Sequence, residues 1–339
     1  MISLKKIIKQ IFGANSISFV INFKELLLNY IIDLQLYYKY SNVFKVDNFN
    51  KKEAKIILYY HSVEKGLLYQ KIRPRFAQER IKNLHIFLND ATVIKKSNLS
   101  QIRVAYQVMC EYYEFHLKID VKIDDYFSQE QYSSYKKILS DAYDKSFSGA
   151  IEYKKDDFYM HNQSNFYDFS SSRKSIRDFT GELIDTELIE KAISLALNAP
   201  SVCNRQSSKV YLLQDKVKID KVLSIQNGFT GHTENVNQLL IVSSDRNYFF
   251  SVGERNQLYI DGGIFLMNLL YCLHFYQIAN CPANWGKTSK DEAKLSSVIN
   301  IPASEKIICM IPIGIAKEDF KITLSQRRDL DEIYKYKNI

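Results

Sequence analysis

The chain has 339 residues, of which 46% are hydrophobic and 25% charged, and its formal net charge is +8. These values are those of an ordinary folded protein, so they exclude a disordered or fibrous class. The length exceeds that of a typical single domain, and we therefore expect two domains. Because the cations are mostly interleaved with acids, we expect no nucleic-acid partner.

The cysteines and the apolar segments indicate a cellular compartment. The five cysteines show no CxxC pair and no metal-ligand spacing, which predicts buried thiols in a reducing cytoplasm: Cys110, Cys203, Cys272, Cys281 and Cys309. No cleavable signal peptide is visible. Charged residues interrupt the apolar stretch 17–40, so we expect no transmembrane segment and a cytoplasmic protein.

Residues 1–13, MISLKKIIKQIFG, place apolar side chains on one helical face and lysines on the other. The pattern predicts an amphipathic helix that ends at Gly13. Such a helix either docks on its own protein, the interpretation we favour, or makes a peripheral contact with an anionic membrane surface.

Residues 1–150 are predicted to form an α-helical N-terminal domain, because the pattern stays helical from about 16 to 146. Within it, HSVEKGL puts His61 and Glu64 one helical turn apart, followed by Lys65. One interpretation is a polar pocket that binds a metal or an acidic substrate. The alternative, which we favour, is the last turn of a helix, where His61 and Lys65 lie near its negative end. With only two potential ligands, we predict no metal site.

Residues 151–168 are polar, aromatic and poorly periodic, which is typical of a linker or an arm. Beyond them, residues 169–339 mix helices and strands. Asp185 is predicted to cap a helix that stops at Pro200. Short apolar runs predict three strands, at 209–213, 238–244 and 306–316.

A long apolar helix is predicted from about 254 to 279, and it should be buried on most sides. Gly262 and Gly263 lie in its interior, where each glycine costs about 1 kcal/mol relative to alanine. Close approach of another backbone, from this chain or from a second subunit, would explain both glycines.

The stretch SSRKSIRDFT places Arg173, Lys174, Ser175 and Arg177 within five residues. Two guanidinium groups, an ammonium and a hydroxyl suit a phosphate held by charge-assisted hydrogen bonds. The alternative is a solvated basic loop, which is the commoner use of such a stretch when it is taken alone.

Three further polar stretches follow. In APSVCNRQ, the amides of Asn204 and Gln206 can bind the edge of a planar heterocycle, although an ordinary turn is the alternative. CPANWGK at 281–287 is a constrained loop whose backbone N–H groups could face a ligand. SQRRDL places Arg327 and Arg328 just beyond the last predicted strand. We expect these stretches to form one site in space.

In this order, the stretches resemble motifs of the FMN-dependent nitroreductase family over residues 165–335. RKSIRDF resembles the opening RRSxRxF motif, APSVCNRQ the APSxxNxQ motif, CPANW the loop at the flavin edge, and IPIGIA with SQRRDL the closing strand and arginine. The resemblance implies an α+β fold with a mainly antiparallel sheet flanked by helices, here preceded by an all-α domain. That domain resembles an extension on a subgroup carrying HSxEKGL.

The resemblance also implies roles for individual residues. The first motif would bind the FMN phosphate and the pyrimidine side of the ring: Arg173, Lys174, Ser175 and Arg177. The second would contact FMN, often from the partner subunit: Pro200, Ser201, Asn204 and Gln206. The loop near flavin N5 would be Pro282, Ala283 and Asn284, with Asn227 as a ring contact and Arg327 at the phosphate. No catalytic acid or base is assigned.

The implied protein is an FMN-dependent oxidoreductase, a homodimeric flavoprotein that transfers hydride through flavin N5 in an NAD(P)H-linked reduction of a small organic acceptor. Two alternatives stay open: a biosynthetic flavin dehydrogenase acting on a carrier- or sugar-linked substrate, and a redox-inactive interaction module. The chain departs from many relatives at Ser207 and Ser208, where they carry Pro-Trp. We expect the helical domain to shape a pocket for a larger substrate, with Arg73 and Arg75 as contacts.

Overall fold

The computed structural model describes residues 14–337. The amphipathic helix predicted over residues 1–13 lies outside this range. Within it, the chain forms a helical region, a short arm and a mixed region of helices and strands. The helical region contains these helices: α1 (Ala14–Tyr40), α2 (Phe49–Leu67), α3 (Gln78–Leu88), α4 (Ala91–Ile94), α5 (Ser100–Lys118) and α6 (Gln129–Leu139).

The helical region has its own hydrophobic core, built from the apolar faces of α2, α3, α5 and α6. Side-chain caps begin several of the helices: Asn48 accepts from the backbone of Lys51, and Ser128 forms a capping box with Gln131. Helix α1 leaves many apolar side chains exposed, and Asp33 ties it to Arg255 at 2.8 and 2.9 Å. The predicted helical N-terminal region is confirmed.

The segment predicted as a linker or an arm forms regular secondary structure, and we call it the arm. It contains β1 (Ala150–Lys154), α7 (Lys155–Tyr159) and α8 (Phe166–Ser172). Strand β1 pairs antiparallel with β7 (Asp319–Thr323), near the end of the chain. This pairing brings the arm and the last strand to the same place.

The mixed region is an antiparallel sheet between helices. Its strands are β2 (Ser208–Leu213), β3 (Gln238–Asp245), β4 (Ala279–Asn280), β5 (Ala283–Asn284) and β6 (Glu305–Gly314), in the order β2-β3-β6-β4 with β5 also on β6. All these pairings are antiparallel. The helices are α9 (Thr186–Ala196), α10 (Lys216–Gln226), α11 (Gln257–Phe275), α12 (Ser289–Ser296) and α13 (Leu330–Ile333). The predicted α+β fold class is confirmed.

Strand β3 shows why this sheet is buried on both faces. Leu239 and Ile241 belong to the core that contains α10, whereas Leu240 and Val242 belong to the core with α9 and α11. Successive side chains of a strand point to opposite faces, so a continuous apolar run suits a sheet that is covered on both sides. The short apolar runs in the sequence therefore marked three strands of this sheet correctly: the central strands β3 and β6, and β2 at the edge.

Helix α11 is shorter than predicted. It begins after a 3-10 turn at Val252–Glu254 and ends before Gln277, which has a left-handed φ of 56°. Among the residues that the structure describes, it is the one helix with the length and hydropathy of a membrane span, and half of it is buried within the protein. One side of it packs against α9 and the sheet. The other side is exposed within one chain, so α11 is less buried than predicted.

The two glycines of α11 have different surroundings. A Cβ added at Gly262 would lie 2.6 Å from Cγ1 of Ile308 on β6, whereas one added at Gly263 would meet nothing within 4 Å. The close neighbour is thus a side chain of the same chain, and not the backbone that we expected. Only Gly262 is required by packing within one chain.

We therefore predict opposite effects of two matched substitutions. Gly262→Ala should lower the stability by about 1–3 kcal/mol, because the added methyl overpacks the contact with β6. Gly263→Ala should raise it by up to about 1 kcal/mol through helix propensity. Thermal unfolding followed by far-UV circular dichroism measures both. Equal melting temperatures for the two variants would contradict this account of α11.

Candidate functional site

A cavity of about 410 Å³ lies where the arm, β7 and the start of the mixed region meet. Arg173, Lys174 and Ser175 form one side, and Arg327 belongs to the other. The remaining lining residues are Ile151, Tyr153, Thr323, Leu324, Ser325 and Gln326. No acidic side chain is among these lining residues, so the cavity carries net positive charge.

The segment that carries the first motif is extended and attached to the sheet. The N–H of Ile176 donates to the carbonyl of Asn280 at 2.9 Å, and the N–H of Thr180 donates to the carbonyl of Ile315 at the same distance. Phe179 is buried and forms a bridge with Ala316. Backbone pairing thus fixes the positions from which the polar side chains of this segment extend.

The cations of this segment have no acidic partner within residues 18–337, and Lys174 donates only to the carbonyl of Ser171, at 2.8 Å. The Nη1 atom of Arg173 and the Nε and Nη1 atoms of Arg177 are buried without a hydrogen-bond partner. Burial lowers the pKa of Arg173, and the nearby charge of Arg327 lowers it further. The pKa of Lys174 is lowered by burial and by the same neighbouring arginines. Buried cationic N–H groups without hydrogen-bond partners are unfavourable, and a bound anion would supply the missing partners.

His274 lies behind the cavity and adds no positive charge. Burial, with the charges of Arg173 and Lys174, lowers its pKa to about 4. Its Nε2 atom is 2.8 Å from the hydroxyl of Ser172. The imidazole is therefore neutral near pH 7 and supports the start of the motif through a hydrogen bond.

The two arginines of SQRRDL have different roles. Arg328 makes a bidentate ion pair with Glu53 of α2, at 2.8 and 2.9 Å, and also contacts Glu332 at 3.2 Å. Arg327 donates to the carbonyl of Ser325 at 2.8 Å and forms no ion pair with the residues that the structure describes. Arg327 is thus the arginine that remains available at the cavity, in agreement with the family motif.

The CPANW loop lies next to the first motif. Cys281 is buried, and its thiol is close to Ser175 and Arg177. Burial raises the pKa of Cys281, more than these neighbours lower it. Directly after it, Ala283 and Asn284 form β5 on β6. A buried thiol with a raised pKa is a packed group and not an activated nucleophile.

Asn227 also lies beside this loop. The amide of Gln226 donates to the carbonyl of Asn284 at 2.9 Å and accepts from the N–H of Gly228 at 2.7 Å. Asn227 is the residue between them and has a left-handed φ of 57°. The structure therefore brings Asn227 and the Pro282–Asn284 loop to one location, which the sequence spacing alone does not show.

The second motif forms a strained, well-anchored loop. The N–H of Val202 donates to Asp261, and the N–H of Gln206 donates to the hydroxyl of Ser201 at 3.0 Å. Cys203, Asn204 and Gln206 all have left-handed φ values, each costing about 1 kcal/mol or more. Cys203 is exposed, which corrects its expected burial, because it lies in a surface turn and not in an element.

This loop lies far from the first group within one chain. Pro200, Ser201 and Gln206 line a cavity of about 90 Å³ together with Asp261, near the start of α11. His274, behind Arg173, lies near its end. At 1.5 Å per residue, the two positions on the helix are about 20 Å apart. Within one chain, the first, third and fourth motifs thus lie together, and the second motif lies apart from them.

Several residues around the site were not found from the sequence. Tyr153 and Thr323 reach the cavity through the pairing of β1 with β7, which are distant along the chain. Lys65 of HSVEKGL lies close to Arg177 and Cys281. No short-range pattern indicates such neighbours; the motif HSxEKGL was the one available signal for Lys65.

Two sets of polar residues that the sequence singled out in the helical domain make contacts within that region. Arg75 forms an ion pair with Asp125, and its guanidinium lies 5.1 Å from the ring centre of Tyr126. Arg75 thus makes its contacts within the helical region, and the expected substrate contacts through Arg73 and Arg75 stay predictions. His61 and Glu64 contact each other at 2.8 Å between Nδ1 and Oε2, and no group of three potential metal ligands occurs among the described residues.

Comparison with known proteins supports the resemblance. Residues 171–245 match the profile of the Nitroreductase family. This region holds the first two motifs, so over these residues the chain is similar to the Nitroreductase family, and the match supports the class of FMN-dependent oxidoreductase enzymes. No curated protein matches the chain significantly.

Solved structures similar to this chain cover about half of it. An FMN-dependent nitroreductase from Clostridium difficile R20291 is 18% identical, with 50% of this chain and 98% of that chain covered and a TM-score of 0.42. A candidate nitroreductase from Desulfovibrio desulfuricans in complex with FMN is 20% identical, covering 52% and 99%, with a TM-score of 0.44. A nitroreductase family protein from Clostridium difficile 630 is 18% identical, covering 52% and 99%, with a TM-score of 0.42.

The surroundings of the thiols predict a clear order of reactivity. In the folded protein at pH 8, Cys203 should react with iodoacetamide at least about tenfold faster than Cys281, because the first is exposed and the second is buried with a raised pKa. Peptide mapping after timed alkylation measures both rates. Alkylation of Cys281 at the rate of Cys203 would show that this thiol is chemically active.

Proposed function

We propose that the chain is an FMN-dependent oxidoreductase that binds the FMN phosphate in the cavity between Arg173 and Arg327. The observation that carries this proposal is the set of buried guanidinium N–H groups without partners on Arg173 and Arg177. Lys174 and the hydroxyl of Ser175 lie beside them. Such a donor set fits a ligand with several negatively charged oxygens and has no other evident use in the fold.

The residues present fit the other parts of FMN as well. Arg177 lies beyond Ser175 along the extended segment, next to Cys281, where it would hold the pyrimidine side of the ring. The backbone of Pro282, Ala283 and Asn284 would orient the N5 edge. When bound, FMN supplies hydride transfer at N5. The residues of this chain would bind the FMN, orient its ring and stabilise its negative charge.

The second motif enters this proposal through a homodimer. Pro200, Ser201, Asn204 and Gln206 would contact the FMN of the partner subunit. Their loop adjoins Asp261, whereas the first group adjoins His274, which lies about 20 Å further along α11. The outer side of α11 supports the dimer, because its apolar side chains are exposed: Tyr259, Ile260, Ile264 and Met267. A second copy that covers this face would also explain the open space at Gly263.

The proposed reaction is the NAD(P)H-linked reduction of a small organic acceptor in the cytoplasm. The nitroreductase-family match favours this use of FMN over the alternatives. A biosynthetic dehydrogenase acting on a carrier- or sugar-linked substrate would use the same FMN site without a nicotinamide donor. A redox-inactive interaction module would have no need for buried guanidinium nitrogens without partners beside a cavity.

A double substitution tests the cofactor site. Arg173→Ala combined with Arg327→Ala should weaken FMN binding at least about 100-fold, because each arginine contributes about 1.5–3 kcal/mol through charged hydrogen bonds. Quenching of FMN fluorescence measures the affinity, and circular dichroism checks the fold. The control is Lys82→Ala with Lys137→Ala, which removes two exposed charges of the helical region. Unchanged affinity in the arginine variant would reject the site.

A second experiment tests the electron donor. Anaerobic mixing of the FMN-loaded protein with NADH or NADPH should bleach the flavin absorbance within seconds for one of them, because a nicotinamide-linked enzyme is reduced within its turnover time. Stopped-flow absorbance measures the rate. If tightly bound FMN stays oxidised for many minutes with both nucleotides, the dehydrogenase alternative replaces NAD(P)H-linked reduction.

A further inference from the structure

Helix α1 is attached to the rest of the chain along one narrow side. Between residues 18 and 40, the side chains that are partly covered lie three and four residues apart, on the same side of the helix: Leu26, Asn29 and Asp33. Asp33 accepts two hydrogen bonds from Arg255, at 2.8 and 2.9 Å. The other sides of α1 are exposed in the part of the chain that the structure describes.

The exposed apolar residues of α1 include a regular seam. Its members are spaced alternately by three and four residues, and each is more than half exposed: Val20, Phe23, Leu27, Tyr30, Leu34 and Tyr37. We call these residues the seam of α1. Their spacing averages about 3.5 residues, which is the repeat of the inward positions of a coiled coil. A seam with this repeat is suited to pack against a second helix.

The apolar surface of α1 is large enough for a stable interface. Its aromatic rings are each more than half exposed: Phe19, Phe23, Tyr30, Tyr37, Tyr38 and Tyr40. An aromatic side chain has a surface of about 200 Å², so these rings together expose about 600 Å² or more. With the exposed aliphatic residues added, α1 offers about the 800 Å² that each partner buries in a standard interface. Monomeric proteins rarely expose an apolar patch of this size.

The attachment of α1 connects it to the surface that is proposed to meet the partner subunit. Arg255, which binds Asp33, directly follows Glu254, and Glu254 binds Arg205 of the second motif at 2.6 and 3.0 Å. Helix α11 begins two residues after Arg255, at Gln257, and its outer side is exposed. One short turn, 252–255, therefore holds α1 and the second motif beside the exposed side of α11.

A second copy of the chain fits α1 better than a membrane surface does. A helix that lies on an anionic membrane has a basic polar face opposite its apolar face. The side of α1 opposite the seam holds two apolar residues, one acid and one lysine: Ile21, Ile32, Glu25 and Lys39. The two lysines and two acids of residues 18–40 also cancel in net charge. The many tyrosines of α1 are instead typical of protein interfaces.

We infer that the seam of α1 packs against the same seam of a second copy of this chain, beside the contact proposed for α11. A two-fold dimer places identical surfaces against each other, which suits a helix with a continuous apolar seam. The inference rests on the proposed homodimer and assigns part of it to the helical region. Because the turn 252–255 also holds the second motif, α1 would fix the position from which that motif reaches the FMN of the partner subunit.

Charge substitutions in the seam test this inference in the full chain. Leu27→Glu with Leu34→Glu should raise the dimer dissociation constant at least about tenfold, because the contact would bury carboxylates. Leu27→Lys with Leu34→Lys should have the same effect. A mixture of the two variants should associate at least about tenfold more tightly than either alone, since opposite charges would then meet. Sedimentation velocity measures the assembly, and circular dichroism checks the fold.

The matched control is Ile21→Glu with Ile32→Glu, which adds the same charges opposite the seam and should leave association near the wild-type value. Equal weakening by this control, or no weakening by the seam variants, would overturn the inference and leave the FMN site intact. A mixture that does not recover association would also overturn the pairing of one seam with the other.

Two results with the wild-type chain separate this inference from the proposed function. A monomer that sediments with vesicles of phosphatidylcholine and phosphatidylserine would overturn the pairing of α1 and would favour a membrane surface as its partner. A dimer that depends on the seam but binds no FMN in a fluorescence titration would support the pairing of α1 and overturn the proposed FMN site.

Discussion

The ion pair between Arg328 and Glu53 holds the helical region to the loop that completes the candidate site. Glu53 is nearly buried, and its two oxygens accept from both terminal nitrogens of Arg328 at 2.8 and 2.9 Å. Loss of one partner would leave the other charge poorly hydrated, which is strongly unfavourable. Gln101 reinforces the contact by donating to the carbonyl of Gln326 at 3.1 Å. Because this loop is fixed, Arg327 is positioned opposite Arg173.

Acidic partners are distributed unevenly over the molecule. Arg205 pairs with Glu254, Arg255 with Asp33, and Arg328 with Glu53. Within the described part of the chain, the cations that line the cavity have no such partner: Arg173, Lys174 and Arg327. Arg177 of the same segment has buried nitrogens without a partner. An arrangement that concentrates unpaired charge costs stability, and such a cost is typical of a binding site. This uneven distribution is the reason to regard the cavity as a candidate anion site.

The sequence predicted most of the mixed region and less of its surroundings. Strand 238–244 was found because a continuous apolar run is characteristic of a strand buried on both faces. Strand 209–213 was found from a short apolar run as well, although it lies at the edge of the sheet. The helix cap at Asp185 was found because capping is a local interaction. The pairing of β1 with β7 was not found, since it joins segments that are distant along the chain and individually weak in pattern. The exposure of Cys203 depends on a left-handed turn that composition does not reveal.

The candidate site was also predicted only in part from the sequence. Family motifs indicated Arg173, Arg177 and Arg327, because charged side chains at fixed spacing remain visible in a sequence. They assigned Arg327 to the phosphate but did not show the role of Arg328, since that role depends on Glu53 in the helical region. Lys65 was visible as part of HSVEKGL, but the sequence did not show that Lys65 and Arg177 come close to each other. The contacts between the two regions could thus not be predicted from local sequence patterns.

The most direct test of this account is the absorption spectrum of the full chain after incubation with FMN and gel filtration. The account predicts flavin bands that elute with the protein at about one FMN per chain, with FMN identified in the supernatant after denaturation. The buried guanidinium nitrogens of Arg173 and Arg177 without partners favour an anionic ligand of this kind. Protein that elutes folded and without flavin would contradict the central claim, and the cavity between Arg173 and Arg327 would then belong to a different anion.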